Sequence, residues 1–178
     1  MPEERIASVA VTRIAHDSVI RNDDVLAVEE PLEIRANDKN ISVTMRTPGD
    51  DYDLAAGFLF TEGLIRSAED IESIRHWGSP NVVRVGLKIP IDSSKLDRHF
   101  YTTSSCGVCG KSSIDAVRIV GAGQAILPVR VSKELITGLP DRLQQQQSAF
   151  QATGGLHGAA IFTTSGDLLR IREDIGRH

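Results

Sequence analysis

The sequence predicts an α/β protein of the α+β kind, on three observations. Several short runs alternate apolar and polar residues, as half-buried strands do. One run after Pro48-Gly49 puts Leu54, Ala55, Phe58 and Leu59 on a single helical face. Fifteen glycines, seven prolines and only 4% aromatic residues suit a mixed fold with many turns.

Taken in order, Arg5 to Ile14 alternates and predicts a strand, and Val25 to Glu30 reads the same way. Pro31 to Ala36 and Ile41 to Thr47 flank Asn37-Asp38-Lys39-Asn40. That predicts a hairpin, because Asn and Asp satisfy turn geometry with their own side chains. Pro48-Gly49 breaks the sheet; Asp50 and Asp51 are placed to cap the helix that follows, and Gly63 to end it. Ala68 to Ile74 is short and fits no single period. Asn81 to Ile89 predicts a strand with Val83, Val85 and Leu87 on one side. Tyr101 to Ser105 leads into a segment holding both cysteines, and Ser113 to Val120 reads as helical before Gly121 and Gly123.

Ser132 starts another helical run, which Gly138 and Pro140 should interrupt, with Leu143 to Phe150 continuing beyond. The glutamines at 144–147 fit a solvated helix face. After Gly154-Gly155, the runs His157 to Thr163 and Leu168 to Arg172 enclose Thr164-Ser165-Gly166-Asp167 and predict a second hairpin. No internal repeat is present.

A net charge of −4 argues against a broad nucleic-acid surface, though not against a local basic pocket for a phosphorylated ligand. Met1-Pro2-Glu3-Glu4-Arg5 is no basic lead to an apolar run, and no stretch approaches the roughly 18 apolar residues of a membrane span. A cytoplasmic location is therefore expected, with thiols held reduced.

Chemistry concentrates in Thr103-Ser104-Ser105-Cys106-Gly107-Val108-Cys109-Gly110-Lys111. A cysteine that merely packs needs no glycine on either side; here glycines free the backbone to bring sulfur close to a partner. Four readings are open. A helix starting near Ser112 or Ser113 would aim its positive end at the loop, and Lys111 adds a cation, so Cys106 and Cys109 could be reactive thiolates. The pair could be half of a zinc site, completed by histidines such as His99, His157 or His178, although none has ligand-pair spacing. Gly110-Lys111-Ser112 matches the end of a phosphate loop whose first glycine is replaced by Ser105. Finally, the segment could be a glycine-rich turn with inert cysteines.

Six segments together resemble the FdhD/NarQ family of formate dehydrogenase accessory proteins. They are Glu29-Glu30-Pro31-Leu32-Glu33-Ile34, Ile41 to Asp51, Gly57 to Gly63, Ser104 to Lys111, Thr153-Gly154-Gly155-Leu156-His157 and Arg172 to His178, in family order. The resemblance implies a sulfurtransferase. It would take persulfide sulfur from a cysteine desulfurase and pass it to the molybdenum bis-(molybdopterin guanine dinucleotide) cofactor. That cofactor would be bound as substrate, with formate dehydrogenase as the client enzyme and no catalytic metal of the carrier's own.

The resemblance also implies Cys106 as the persulfide carrier and Cys109 as its partner or relay; it assigns no cofactor-pocket residues. It divides the chain into an N-terminal α/β region over residues 1–100 and, over 101–178, the cysteine loop with the start of a cytidine-deaminase-like region. Family members continue past Gly-Arg-His with Asn-Ala and a further helical segment. The chain is therefore expected to be a C-terminally truncated member whose deaminase-like part is incomplete. A homodimer, and no nucleic-acid or membrane partner, complete these expectations. Two alternatives are a module that binds and delivers the molybdenum cofactor without moving sulfur, and a structural zinc-binding C-x-x-C domain.

Among the remaining candidates, His157 reads either as a contact to cofactor phosphate or pterin, or as a hydrogen-bonded residue at a strand start. A zinc deaminase needs a glutamate two residues after its histidine ligand, where His157 has Ala159. Arg172, Arg177 and His178 could meet a phosphate or simply be solvated. Asp50-Asp51 and Thr61-Glu62-Gly63 read as helix boundaries, and Trp77, the only tryptophan, as a packing residue.

Overall fold

A computed structural model describes residues 5–16, 18–91 and 129–176. In chain order the elements are β1 (Ile6–Ala15), β2 (Ser18–Ala27), β3 (Glu30–Ala36), β4 (Lys39–Arg46), α1 (Asp51–Thr61), a 3-10 turn (Ala68–Asp70), β5 (Ile71–His76), β6 (Val82–Leu87), α2 (Lys133–Gln146), α3 (Ser148–Thr153), β7 (His157–Phe162) and β8 (Leu168–Asp174). The fold is α+β, as expected. The cysteine segment and the helix expected over 113–120 lie outside the described residues, as does the boundary expected at residue 100. The described residues fall into two compact units that interleave along the chain. Of the described residues, one draws on 5–16, 18–29, 47–49 and 129–175, the other on 30–46, 50–91 and 176.

The second of these units is built on a four-stranded sheet of order β4-β3-β6-β5. The expected hairpin forms: β3 runs antiparallel to β4, closing from Ala36 opposite Lys39 through Asn37, whose φ of 52° is one that asparagine tolerates. β3 is parallel to β6, and β5 antiparallel to β6. Val83, Val85 and Leu87 share the buried side of β6 as predicted, with Leu32, Ile34 and Ala36 beside them on β3. Ala55, Phe58 and Leu59 of α1 close over this face. Each such large side chain contributes about 1.5–3 kcal/mol when fully buried.

α1 ends as the glycine predicted. Gly63 takes φ 68° and donates to the Phe60 carbonyl (3.0 Å), while Leu64 N–H reaches the Leu59 carbonyl (2.9 Å). This paired closure uses orphan carbonyls of the last turn and delivers Leu64 and Ile65 into the core. At the other end Asp50 is the N-cap but makes no side-chain capping bond, so the expected cap is not formed there. Ala68 to Ile74, which fitted no period, divides into the 3-10 turn and the start of β5.

β4 turns the opposite way from its pattern. Val43 and Met45 face solvent, at 47% and 44% exposure, while Ser42, Thr44 and Arg46 are buried. The irregular register between Ile34 and Arg35 accompanies this placement, and Ile41 remains buried at the strand start.

In the other unit β1 and β2 form a long antiparallel hairpin in continuous register from Ile6 opposite Ala27 to Ala15 opposite Ser18. β2 thus begins well before Val25. Asn22, Asp23 and Asp24 have low strand propensity, but pairing with β1 holds them extended; Asn22 and Asp23 are exposed, and half-buried Asp24 meets Arg13 at 3.3 Å.

α2 also departs from expectation, running unbroken through Gly138 and Pro140. No residue of this helix is buried, and Ile136, whose carbonyl loses its donor at Pro140, is 52% exposed, so water can satisfy it. Ser132 caps the helix as predicted, accepting from Leu135 N–H at 3.1 Å. Gln144, Gln145 and Gln146 are solvated, but Gln147 is buried between α2 and α3. Its side chain lies against Gly158, where a Cβ would collide with it.

The hairpin of β7 and β8 forms as expected. In its turn the Asp167 carboxylate accepts from Ser165 (2.7 Å) and Thr163 (3.2 Å), which hold its pKa below the usual aspartate value. A lowered folded value means that this contribution is present above the unfolded pKa and is lost as pH falls through the folded one. Ser165→Ala is expected to move the Asp167 titration upward toward the free value, as read by carboxyl NMR.

Candidate functional site

Cys106 and Cys109, the residues expected to carry the chemistry, lie outside the described residues. The described residues place most of the other motif segments, and two buried charged groups within these segments stand out.

The first is Arg46. β4 turns its side chain inward, where it is fully buried. Its Nε and Nη2 donate to both oxygens of Asp51, at 2.9 and 3.0 Å, in a two-pronged pair. Nη1 reaches Glu30 Oε2 at 3.2 Å and Nη2 also reaches Asn81 Oδ1 at 3.0 Å. Asp51 opens α1, so one guanidinium ties the start of that helix to the ends of β3 and β4 and to the residue before β6. His76 Nε2 lies 3.9 Å from Asp51 Oδ2, and its ring stands 5.1 Å from that of Tyr52. Asp51 is thus a boundary residue with its oxygens committed to Arg46, not a general acid or base.

The second group, in the other unit, is Glu173, only 6% exposed. Its two oxygens accept the N–H groups of Ala149 (3.1 Å) and Phe150 (2.8 Å) at the start of α3. Gln147, the N-cap by position, makes no side-chain capping bond, so Glu173 caps that helix from a distant strand. Arg5 Nη2 donates to the Glu173 carbonyl at 2.7 Å, and Asp174 Oδ1 accepts from Thr47 N–H at 2.6 Å. Gly49, at φ 124°, passes beside Arg5, where few other residues could follow. Thr47-Pro48-Gly49 is thereby fastened to the end of β8.

His157 opens β7, the strand start expected of it, with its side chain exposed. Arg172 is exposed on β8; Arg177 and His178 lie outside the described residues. Trp77 is not a core residue: it stays 45% exposed, with the guanidinium groups of Arg75 and Arg84 over its ring. Among the described residues no group of three or more His, Cys, Asp or Glu side chains could hold a metal ion, and no helix is long and apolar enough to cross a membrane. Sequence reasoning missed both Arg46 and Glu173. The available signal was charge in motif-bearing segments, and it does not reveal which charges are buried.

This is an α+β protein in which two buried charged groups, Arg46 and Glu173, fasten segments that carry its motifs. Residues 27–178 match the FdhD/NarQ family, and the chain belongs to it. It is 48% identical over 182 residues to the Sulfur carrier protein FdhD of Streptomyces coelicolor, covering 94% of this chain and 64% of that protein. With the protein of the same name from Sulfolobus acidocaldarius it shares 39% identity over 176 residues, covering 98% of this chain and 66% of that one. The chain therefore spans just under two thirds of the length of these relatives. A crystal structure of a Desulfotalea psychrophila protein, assigned as a formate dehydrogenase accessory protein, shares the fold. Its TM-score is 0.69 at 20% identity, over 98% of this chain and 62% of that one.

Proposed function

We propose that this chain carries sulfur as a persulfide for formate dehydrogenase maturation, with Cys106 as the carrier and Cys109 as its partner. The observation that supports this most is the 48% identity, over 94% of the chain, to a protein named as a sulfur carrier. The C-x-x-C loop supplies the chemistry. A Cys106 thiolate attacks the outer sulfur of the donor's persulfide; the donor's S–S bond breaks, its cysteine leaves as thiolate, and a new S–S bond forms on Cys106. The donor in this reading is a cysteine desulfurase. The acceptor is the molybdenum bis-(molybdopterin guanine dinucleotide) cofactor, bound as substrate, and the setting is the cytoplasm. Attack of Cys109 on the loaded Cys106 would release sulfide and leave a disulfide, so the two cysteines set the lifetime of the cargo.

The deaminase-like character of the region after residue 100 and a homodimeric assembly belong to the same reading.

Incubation with a cysteine desulfurase and cysteine, followed by mass spectrometry, is expected to add one sulfur atom at Cys106. Cys106→Ala should reduce that loading to background and abolish activation of formate dehydrogenase. Full activation by Cys106→Ala would instead identify a delivery module that moves no sulfur. Stoichiometric zinc lost on replacing either cysteine would identify a structural metal site.

A further inference from the structure

Among the described residues of this unit, α1 packs on one face of the sheet β4-β3-β6-β5, and no described element of the unit packs on the other. On that second face Val43, Met45 and Trp77 are 47%, 44% and 45% exposed. β4 spends its apolar alternation there and turns Ser42, Thr44 and Arg46 toward its own core.

The charges on the same face are also arranged at a cost. Arg35 on β3 stands opposite Arg84 on β6, and Arg84 stands opposite Arg75 on β5, so three arginines are in register across three strands. Like charges directly opposite each other destabilise a sheet. Glu33 offsets Arg35 at 2.8 Å and Asp38 offsets Arg84 at 2.6 Å. Among the described residues no acid pairs with Arg75, whose guanidinium lies 5.1 Å from the centre of the Trp77 ring, with that of Arg84 at 4.8 Å. The indole holds both cations in place without neutralising either.

We propose that this face docks a partner protein that presents carboxylates around an apolar centre, with Arg75 and Trp77 as the anchor. Tryptophan, arginine and methionine are the residues enriched where protein interfaces concentrate their energy. An unpaired guanidinium fork fits a carboxylate in two-pronged geometry. A partner acid would supply the counter-charge the row lacks, while Val43, Met45 and the indole would be covered by apolar contact. Such a contact is charge-steered and short-lived, as suits a carrier that must bind and release. The choice of probes rests on the sulfur-carrier reading.

The sole tryptophan makes the test direct. Purified cysteine desulfurase and formate dehydrogenase are each titrated into the full chain while Trp77 emission is followed at low and at raised salt. At least one is expected to shift the emission, with affinity that falls as salt rises. Arg75→Glu, which sits on the exposed surface and keeps the reporter, should weaken that binding by about tenfold or more. Trp77→Ala, followed by surface-immobilised binding, should weaken it comparably, and circular dichroism confirms that both variants fold. The proposal is overturned if neither protein binds, if Arg75→Glu binds as tightly as the parent, or if single-stranded RNA alone shifts the emission. Loading of the cysteines by inorganic polysulfide needs no docking and is read separately, so loss of sulfur carriage and loss of this interface are distinguishable.

Discussion

Asp51→Ala is expected to lower the stability of the chain by about 3–5 kcal/mol, the range for removing one partner of a buried ion pair. Arg46 is fully buried and Asp51 nearly so, with side-chain exposures of 0% and 3%. Deleting the carboxylate leaves a guanidinium that can neither reach water nor lose its charge. Glu30 cannot substitute, since at 44% exposure it meets only Nη1. Glu30→Ala should accordingly cost much less than Asp51→Ala, about 1 kcal/mol, because Glu30 is half solvated and Asp51 still neutralises Arg46. Replacing both partners together, as Arg46→Met with Asp51→Leu, should recover much of the loss, because no buried charge is then stranded. Urea unfolding of the parent, the two single variants and the double variant reads all of this. A drop of less than 1 kcal/mol in Asp51→Ala would show that the guanidinium finds solvent.

Glu173→Ala should cost about 3 kcal/mol, since hydrogen bonds to a charged acceptor contribute roughly 1.5–3 kcal/mol and two are lost. The Ala149 and Phe150 N–H groups would be left without their acceptor at a buried helix start. The effect is expected to be local as well as global. α3 has only six residues and no side-chain cap at Gln147, so its first turn should open before the rest of the unit. Amide hydrogen exchange at Ala149 and Phe150 should accelerate strongly in Glu173→Ala. Glu173→Gln keeps one acceptor oxygen and should protect one of the two amides. Unchanged exchange in both variants would assign the capping to another group.

Much of the fold was legible because its signals are local. The turn at Asn37, the glycine stop at Gly63, the Ser132 cap and the alternation of Val83, Val85 and Leu87 each act within a few residues of themselves. What was not legible depends on partners far along the chain. Asn22 to Asp24 are strand only because β1 holds them. Pro140 is tolerated only because α2 buries nothing. β4 offers two faces of nearly equal claim, and the pull of Asp51, Glu30 and Asn81 on Arg46 decides between them. Glu173 looks in sequence like any acid in a charged run; a helix start 23 residues earlier in the chain gives it a task. The cysteine loop was the clearest chemical signal and is the part the described geometry does not reach, so its role rests on residue chemistry and kinship.

One contact bears on how the protein is made. Arg5 binds the Glu173 carbonyl across 168 residues, and β2 packs against α3, so β1 and β2 share a unit with elements made well over a hundred residues later. At roughly 5–20 residues per second the ribosome needs on the order of ten seconds or more to deliver that partner. Throughout that wait the long β1–β2 hairpin, with Ile14, Val19 and Ile20 still exposed in the finished fold, has little to lie against. The other unit's four strands and α1 have meanwhile left the tunnel and can assemble first. The β1–β2 hairpin is therefore expected to gain its full stability late, only once α3 and Glu173 have been made.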